Sequence, residues 1–589
     1  MKNVIYILVD ALSYDNVGKR EYRNTPTPFL DSLAKQSTFF KNVYTQAPYT
    51  EAAFVSTLCG ENVLDHGGYL LGMEKCDTCY GTLLKKRGYH TLSTFSPYIM
   101  SKSYIRDIDE YFYSRVFSLN PLKLYRINYY AQKFNEHTIT DKEYIICEKI
   151  MIDAFEIWIE QLYALKNKDE KAVMIQDIVN GIENIDDVIF NVEGEYTKFK
   201  NNPTDYLEEM FREGGNHNIY KISYLSLENK VSVQTKSYIK NKYKDFVNVV
   251  QDKKNSYKKN NEKIDFKYLF DLMINDEQTY HGAISTYRRY ENEYNDDTIK
   301  ESINSHVSEK VTISAFRQLN IFKNKIIELD KKNENYFSFI HLEDFHLPSM
   351  IYSYDIENKD VIDKEFKILS NYVRDIPENY RGNLLADMSA LYVDSKIEAF
   401  FNELNDKLRN DFIFVVTADH GYPCNYNPPR PIIFNSFYQE NYHIPLYLYD
   451  STERNPEENL NLHSSLDIMT MIMNKVNNQE ILLENREYVL IEYPGPGCPV
   501  IHSKELYYAI YDGTYKIGIK SKLNDDVDYT KVVLATNFKE DPDERKNLVR
   551  KVKKNKRMRE LLCIVNERHK EIREKFANEK FYDELLKGN

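Results

Sequence analysis

No run of this 589-residue chain is apolar for the length of a membrane span, so a helical integral membrane protein is excluded. An excess of basic residues is also missing. Lys+Arg 78 against Asp+Glu 90 leaves a net charge of −12 and a pI near 5.7. That balance argues against a protein that clamps a nucleic-acid backbone, while leaving room for a local basic pocket. Cysteine is scarce: seven scattered thiols are too few for a disulfide framework. The one close pair, Cys76-Asp77-Thr78-Cys79, has no second CxxC to complete a zinc site and reads as two thiols near a helix start. A single Trp beside 49 Tyr reflects compositional bias and points to no function. The first strand pattern begins at residue 3, which leaves no room for a secretory leader, and a cytoplasmic location is the expectation.

What is present is the alternation of an α/β protein. Val4-Ile5-Tyr6-Ile7-Leu8-Val9 and Phe412-Ile413-Phe414-Val415-Val416-Thr417-Ala418 are continuous apolar runs of strand length, as strands buried on both faces require. Thr27 to Ala34 predicts a helix with Pro28 in its first turn. Thr82 to Gly88 predicts a helix closed by glycine and followed by a strand, Tyr89 to Phe95. A helix at Ile313–Leu329, a strand at Tyr336–Leu342, a helix at Leu385–Leu408 and a strand at Ile444–Tyr449 continue the pattern. The expected organisation is a first part of a catalytic domain at 1–100, a mainly helical insertion at 101–310 and the second part of the domain at 311–484. A small antiparallel subdomain at 485–548 and a charged helical tail at 549–589 complete it. Within the insertion, helical periodicity is clearest at Tyr144–Leu165 and near Tyr268–Tyr290, and no fixed internal period marks a repeat array.

The two apolar runs end in Asp10 and in Asp419-His420-Gly421. In an open parallel sheet ligands bind at the carboxyl ends of strands, and two carboxylates with an imidazole are a plausible cation-binding set. The competing reading makes Asp10 and Asp419 turn or cap residues. Thr50, followed by Glu51, would equally suit a helix N-cap.

The order of further motifs resembles the sulfatase branch of the alkaline-phosphatase superfamily. The carrying segments are Thr27-Pro28-Phe29-Leu30-Asp31-Ser32-Leu33-Ala34, Phe39 to Tyr44, Thr50 with Gly60 and His66-Gly67, and Leu83 to Thr91. Phe339 to Pro348, Thr417-Ala418-Asp419-His420-Gly421, His443-Ile444-Pro445-Leu446 and Asp541 to Leu548 follow in order. The resemblance implies an alkaline-phosphatase/sulfatase-like sandwich with a central, mainly parallel sheet and a small C-terminal antiparallel sheet. It also implies Thr50 as nucleophile, Asp10, Thr50, Asp419 and His420 as metal ligands, and His346 as a catalytic contact to the leaving or transferred group.

Departures from the family pattern narrow the chemistry. Thr50-Glu51-Ala52-Ala53-Phe54 lacks the Cys or Ser, the Pro and the Arg that accompany oxidation to formylglycine, and a secondary alcohol cannot yield that aldehyde. Threonine at this place resembles the phosphodiesterases and the phosphoethanolamine and phosphoglycerol transferases of the superfamily. A metal-activated hydroxyl would attack phosphorus there and form a covalent intermediate. Ala11 stands where the family has a second aspartate, and His420 in place of Asn favours Zn2+ or Mn2+ over Ca2+ or Mg2+. The family's lysines fall at Ser96 and near Phe434, and a histidine at Tyr98. Tyr98, Arg430 and His443 become the substrate-binding candidates, the last two to carry the missing charge. The expected partner is a small-molecule or glycan phosphoester, with no nucleic acid. A true sulfuric ester hydrolase and a non-catalytic scaffold of the same fold are the alternatives.

Overall fold

The computed structural model describes residues 1–20, 23–65, 73, 76–96, 101–115, 127–176, 184–214, 217, 233–256, 313–345, 359–377, 380, 384–421, 437–479, 485–495 and 505–577. Strand β1 (Asn3–Val9) lies at the centre of an eight-stranded sheet with every residue buried. It runs parallel to β5 (Tyr336–Leu342) on one side and to β6 (Phe412–Ala418) on the other. Covering on both faces is what the unbroken apolar sequence of β1 and β6 demands.

Beyond β5 the sheet continues in parallel through β3 (His90–Phe95) to β4 (Glu110–Tyr113). Beyond β6 comes β7 (His443–Asp450), antiparallel to both β6 and β2 (Thr38–Tyr44). β8 (Glu458–Ser464) pairs in parallel with β2 at the far edge. The architecture is therefore α/β, with a large, mixed, mainly parallel sheet as expected. Two further strands, β2 and β8, were not among those expected from the sequence and are fixed by their pairing. β4 falls inside the stretch read as insertion, yet it edges the main sheet. The helix Asp141–Lys166, opened by a Thr140/Glu143 capping box, packs Ile146, Ile150, Phe155, Ile157 and Leu165 into the same core as β1 and β5. The periodic segment near 268–290 lies outside the described residues.

Helix α1 (Pro28–Ala34) begins at its proline, and its Thr27 N-cap makes no side-chain bond. The orphan amides of Phe29 and Leu30 donate instead to the carboxylate of Asp394, each at 2.9 Å. Asp394 sits on the helix Leu384–Lys407, distant in sequence. Helix α2 (Thr50–Cys59) is buried along its whole length and closes on Gly60, whose φ of +72° no side chain would adopt cheaply. Helix α3 (Tyr80–Lys85) ends just before Gly88, in line with the sequence pattern, and Cys79 sits at its N-cap.

The C-terminal strands β9 (Val489–Pro494), β10 (Leu506–Tyr511), β11 (Tyr515–Ser521) and β12 (Val532–Asn537) form the expected antiparallel sheet. Alternation divides β10 cleanly. Leu506, Tyr508 and Ile510 join the cluster that includes Met558, Leu561, Val565 and Ile572 of the helix Lys556–Ala577. Tyr507, Ala509 and Tyr511 join Tyr44, Tyr49, Ala52 and Ala53 at the base of α2. The tail helix, Lys556–Ala577, thus buries one face against this sheet. Among the described residues no helix is long and apolar enough to cross a membrane.

Candidate active site

Parallel register delivers the acidic groups to one place. Leu8 is paired with Thr417 and with His341, and Val9 with Ala418 and Leu342, so Asp10 and Asp419 leave adjacent strand ends on the same side of the sheet. The Asp10 amide donates to the Leu342 carbonyl at 2.8 Å, which fixes the start of the loop. Ala11 then adopts φ +62°, an uncommon value for a residue with a Cβ, and its amide donates to Asp419 Oδ1 at 3.0 Å. Asp419 Oδ1 accepts a second bond from the His420 amide at 2.8 Å, while Oδ2 is buried without a hydrogen-bond partner among the described residues.

His420 donates from Nδ1 to the Gly421 carbonyl at 2.9 Å, so in the neutral ring the lone pair is on Nε2. That atom lies 3.6 Å from Asp10 Oδ1, 3.6 Å from Asp419 Oδ2 and 3.3 Å from the Thr50 hydroxyl. Gly421 is required sterically: a Cβ there would fall 1.8 Å from the Glu440 carbonyl oxygen. Thr50 is the first residue of α2, with Tyr49 rather than Thr50 at the N-cap, so its hydroxyl is not consumed in capping.

The ligand atoms of Asp10, Asp419 and His420 lie within 4.8 Å of one another, and all three residues are buried. Burial, reinforced by the charge of Asp10, raises the Asp419 carboxyl above its ordinary range. Burial alone would lower the His420 imidazole, but the carboxylates of Asp419 and Asp10 outweigh it and hold the ring above its ordinary value. Two carboxylates crowded in low dielectric, an orphaned carboxylate oxygen and an imidazole nitrogen turned toward them make a donor set that fits a divalent cation.

The remaining candidates divide. His346, Arg430 and Tyr98 lie outside the described residues. Ser96 is buried at the end of β3. Asp344 accepts the Ala315 amide at 3.0 Å and so caps the helix Ala315–Lys331. His443 is stacked between Tyr14 and Tyr44, at centroid distances of 4.2 and 4.8 Å. Its Nε2 donates to the Lys41 carbonyl at 2.6 Å, and its Nδ1 accepts from Gln439 Nε2 at 3.1 Å. No ring nitrogen is left for a substrate, so packing replaces the charge-carrying role expected from sequence.

Burial depresses the His443 imidazole to about 4. The folded state therefore holds this ring neutral. The contribution is complete above pH 6.5 and is lost as pH falls from there toward 4, on the order of 2–3 kcal/mol. We expect the melting temperature to drop through that window and the drop to be shallower in His443→Asn. Thermal melts at half-unit pH steps check it.

Sequence reasoning passed over His341. It is buried at the end of β5, with Nε2 3.4 Å from Asp10 Oδ2. The available signal was positional: β5 neighbours β1, and strand ends carry ligands. Glu544, in the segment Asp541 to Leu548, accepts the Gln439 amide at 2.6 Å and pairs with buried Lys516. It thereby ties the C-terminal sheet to the segment whose carbonyl abuts Gly421.

A family model described as Sulfatase matches residues 2–175 and 243–477, well over half of the chain. An arylsulfatase of Clostridium perfringens (strain 13 / Type A) is 33% identical over 92 residues, 15% of this chain and 19% of that protein, so the match spans well under two thirds of the relative's length. Similar solved structures include a protein in the alkaline phosphatase superfamily from Vibrio parahaemolyticus (TM-score 0.46, 11% identity, covering 100% of this chain and 88% of that one). The lipoteichoic acid synthase LtaP from Listeria monocytogenes is also similar (TM-score 0.43, 11% identity, covering 98% and 92%). A 2-O GAG sulfatase gives a TM-score of 0.42 at 12% identity, covering 99% and 96%.

Proposed function

The chain belongs to the sulfatase family, and from that premise we propose that it is a metal-dependent phosphoester hydrolase or transferase with Thr50 as nucleophile. The observation that carries the reading is the Thr50 hydroxyl, 3.3 Å from the His420 nitrogen that faces both Asp10 and Asp419. Asp10, Asp419, His420 and the Thr50 oxygen would hold a divalent cation of the zinc or manganese class. When bound, such a cation supplies positive charge that eases loss of the hydroxyl proton and offsets the charge of the transition state.

The Thr50 hydroxyl gives up its proton to solvent and Oγ1 attacks phosphorus, forming a Thr50–O–P bond while the bond from phosphorus to the leaving oxygen breaks. The leaving oxygen takes up a proton, for which His346 is the proposed donor. Water in a hydrolase, or an acceptor hydroxyl in a transferase, then attacks the same phosphorus and releases Thr50. Threonine supports phosphorus over sulfur as the target, because the formylglycine aldehyde of sulfate-ester cleavage requires a primary alcohol or thiol. The substrate class we favour is a phosphodiester, or a phospho-substituted glycan or lipid intermediate.

The test is elemental analysis of the purified protein beside turnover of nitrophenyl sulfate, phosphate, phosphodiester and phosphonate. We expect retained zinc or manganese and preferential turnover of a phosphorus ester. Sulfate turnover at least equal to that of the phosphodiester would establish a sulfatase instead. Silence toward all four substrates, with no metal retained, would leave a scaffold.

A further inference from the structure

We propose that His341 is a positioning residue that orients Asp10 for the ligand role assigned above, and so rests on that reading. The pairing of Leu8 with His341 sets this imidazole on the same face of the sheet as Leu8 and, two residues on, Asp10. Its Nε2 faces Asp10 Oδ2 at 3.4 Å, while the other oxygen of that carboxylate faces His420 Nε2 at 3.6 Å. A modest turn of the ring would bring an N–H onto Oδ2 and present Oδ1 toward the cluster, which is how a hydrogen bond to a ligand carboxylate sets its orientation.

The same ring packs edge-on against Phe54, with centroids 4.8 Å apart. Phe54 stands four residues after Thr50 on α2, one turn along the same face. Phe339, two residues before His341 on β5, also meets Phe54 edge-on at 5.7 Å. His341 is thus wedged between the carboxylate and the helix that carries the nucleophile, and spaces one from the other.

Packing alone does not account for an imidazole here. The residue is 3% exposed, and neither ring nitrogen has a partner within hydrogen-bond limits among the described residues. Two desolvated nitrogens amid Phe54 and Phe339 carry a cost that a phenyl ring would not, unless one of them serves the adjacent carboxylate.

The test uses the full chain stripped of metal with chelator and titrated with Mn2+, in wild type, His341→Phe, His341→Gln and Asp10→Asn. His341→Phe keeps the edge contact with Phe54 and removes the donor. It is expected to retain the wild-type circular dichroism spectrum and to weaken Mn2+ binding about ten- to a hundredfold. Turnover on the best phosphorus ester should fall in kcat with KM little changed. His341→Gln restores an N–H and should recover most of the affinity. Mn2+ binding by His341→Phe as tight as wild type overturns the proposal while leaving the metal reading intact. Failure of wild type to bind Mn2+ or Zn2+ overturns both. If His341→Phe does not fold, His341→Gln decides: near-wild-type affinity supports the positioning role, and affinity as weak as that of Asp10→Asn overturns it.

Discussion

Thr50→Ala is expected to abolish phosphoester turnover, by up to about a millionfold, the scale seen when a covalent enzyme loses its nucleophile. The hydroxyl is buried at the first residue of α2 and faces His420 Nε2 at 3.3 Å, so its removal deletes the atom that would bond to phosphorus. The fold should be untouched. Tyr49 holds the N-cap position, and the Thr50 hydroxyl serves no capping bond. Metal should still be retained through Asp10, Asp419 and His420. Thr50→Ser keeps the oxygen with one methyl fewer and should keep measurable turnover. Single-turnover assays with a phosphodiester, together with mass spectrometry for a phosphorylated Thr50, read both outcomes. Turnover by Thr50→Ala close to wild type would remove Thr50 from the chemistry.

The largest stability effect is expected at Arg23. Its side chain and that of Asp387 are both 0% exposed, with Nη1 2.9 Å from Oδ1. Nη2 donates to the Asp15 carbonyl at 2.5 Å, which anchors the loop that follows Asp10. Asp387 Oδ2 accepts from Tyr372 and Tyr380, at 2.8 and 2.6 Å. Burial, against these favourable contacts, pushes the Asp387 carboxyl above its ordinary range. Arg23→Met leaves that carboxylate without its cation, and breaking one partner of a buried pair costs about 3–5 kcal/mol. Arg23→Met combined with Asp387→Leu removes both charges and should cost less than the sum of the two single changes. Denaturant titration of the four proteins measures the coupling. A loss under about 1 kcal/mol in Arg23→Met would place the pair among weak surface ones.

The two central strands were readable because burial on both faces demands an unbroken apolar run, and β1 and β6 each supply one. Asp10 and Asp419-His420 were readable for the same reason, since they are the first polar residues after those runs. β4 was hidden in a polar stretch, being a four-residue edge strand with only half its residues buried. His443 looked like a displaced charge because its sequence neighbours say nothing of Tyr14 and Tyr44, which bring aromatic faces to it from two other elements.

The central strands, several of the helix starts and the residue types able to hold a cation or attack an ester were properties of local sequence. Hydrophobic period and chemical character are written along the chain and need no partner to be read. Tertiary structure alone decided which groups meet: Thr50 with His420, Asp10 with His341, Arg23 with Asp387, and the C-terminal sheet against the base of α2. A periodic pattern reports which face of an element is apolar but not what covers it. The register that sets Leu8 beside both His341 and Thr417 is a choice among pairings separated by hundreds of residues. That choice is made by packing of the whole core.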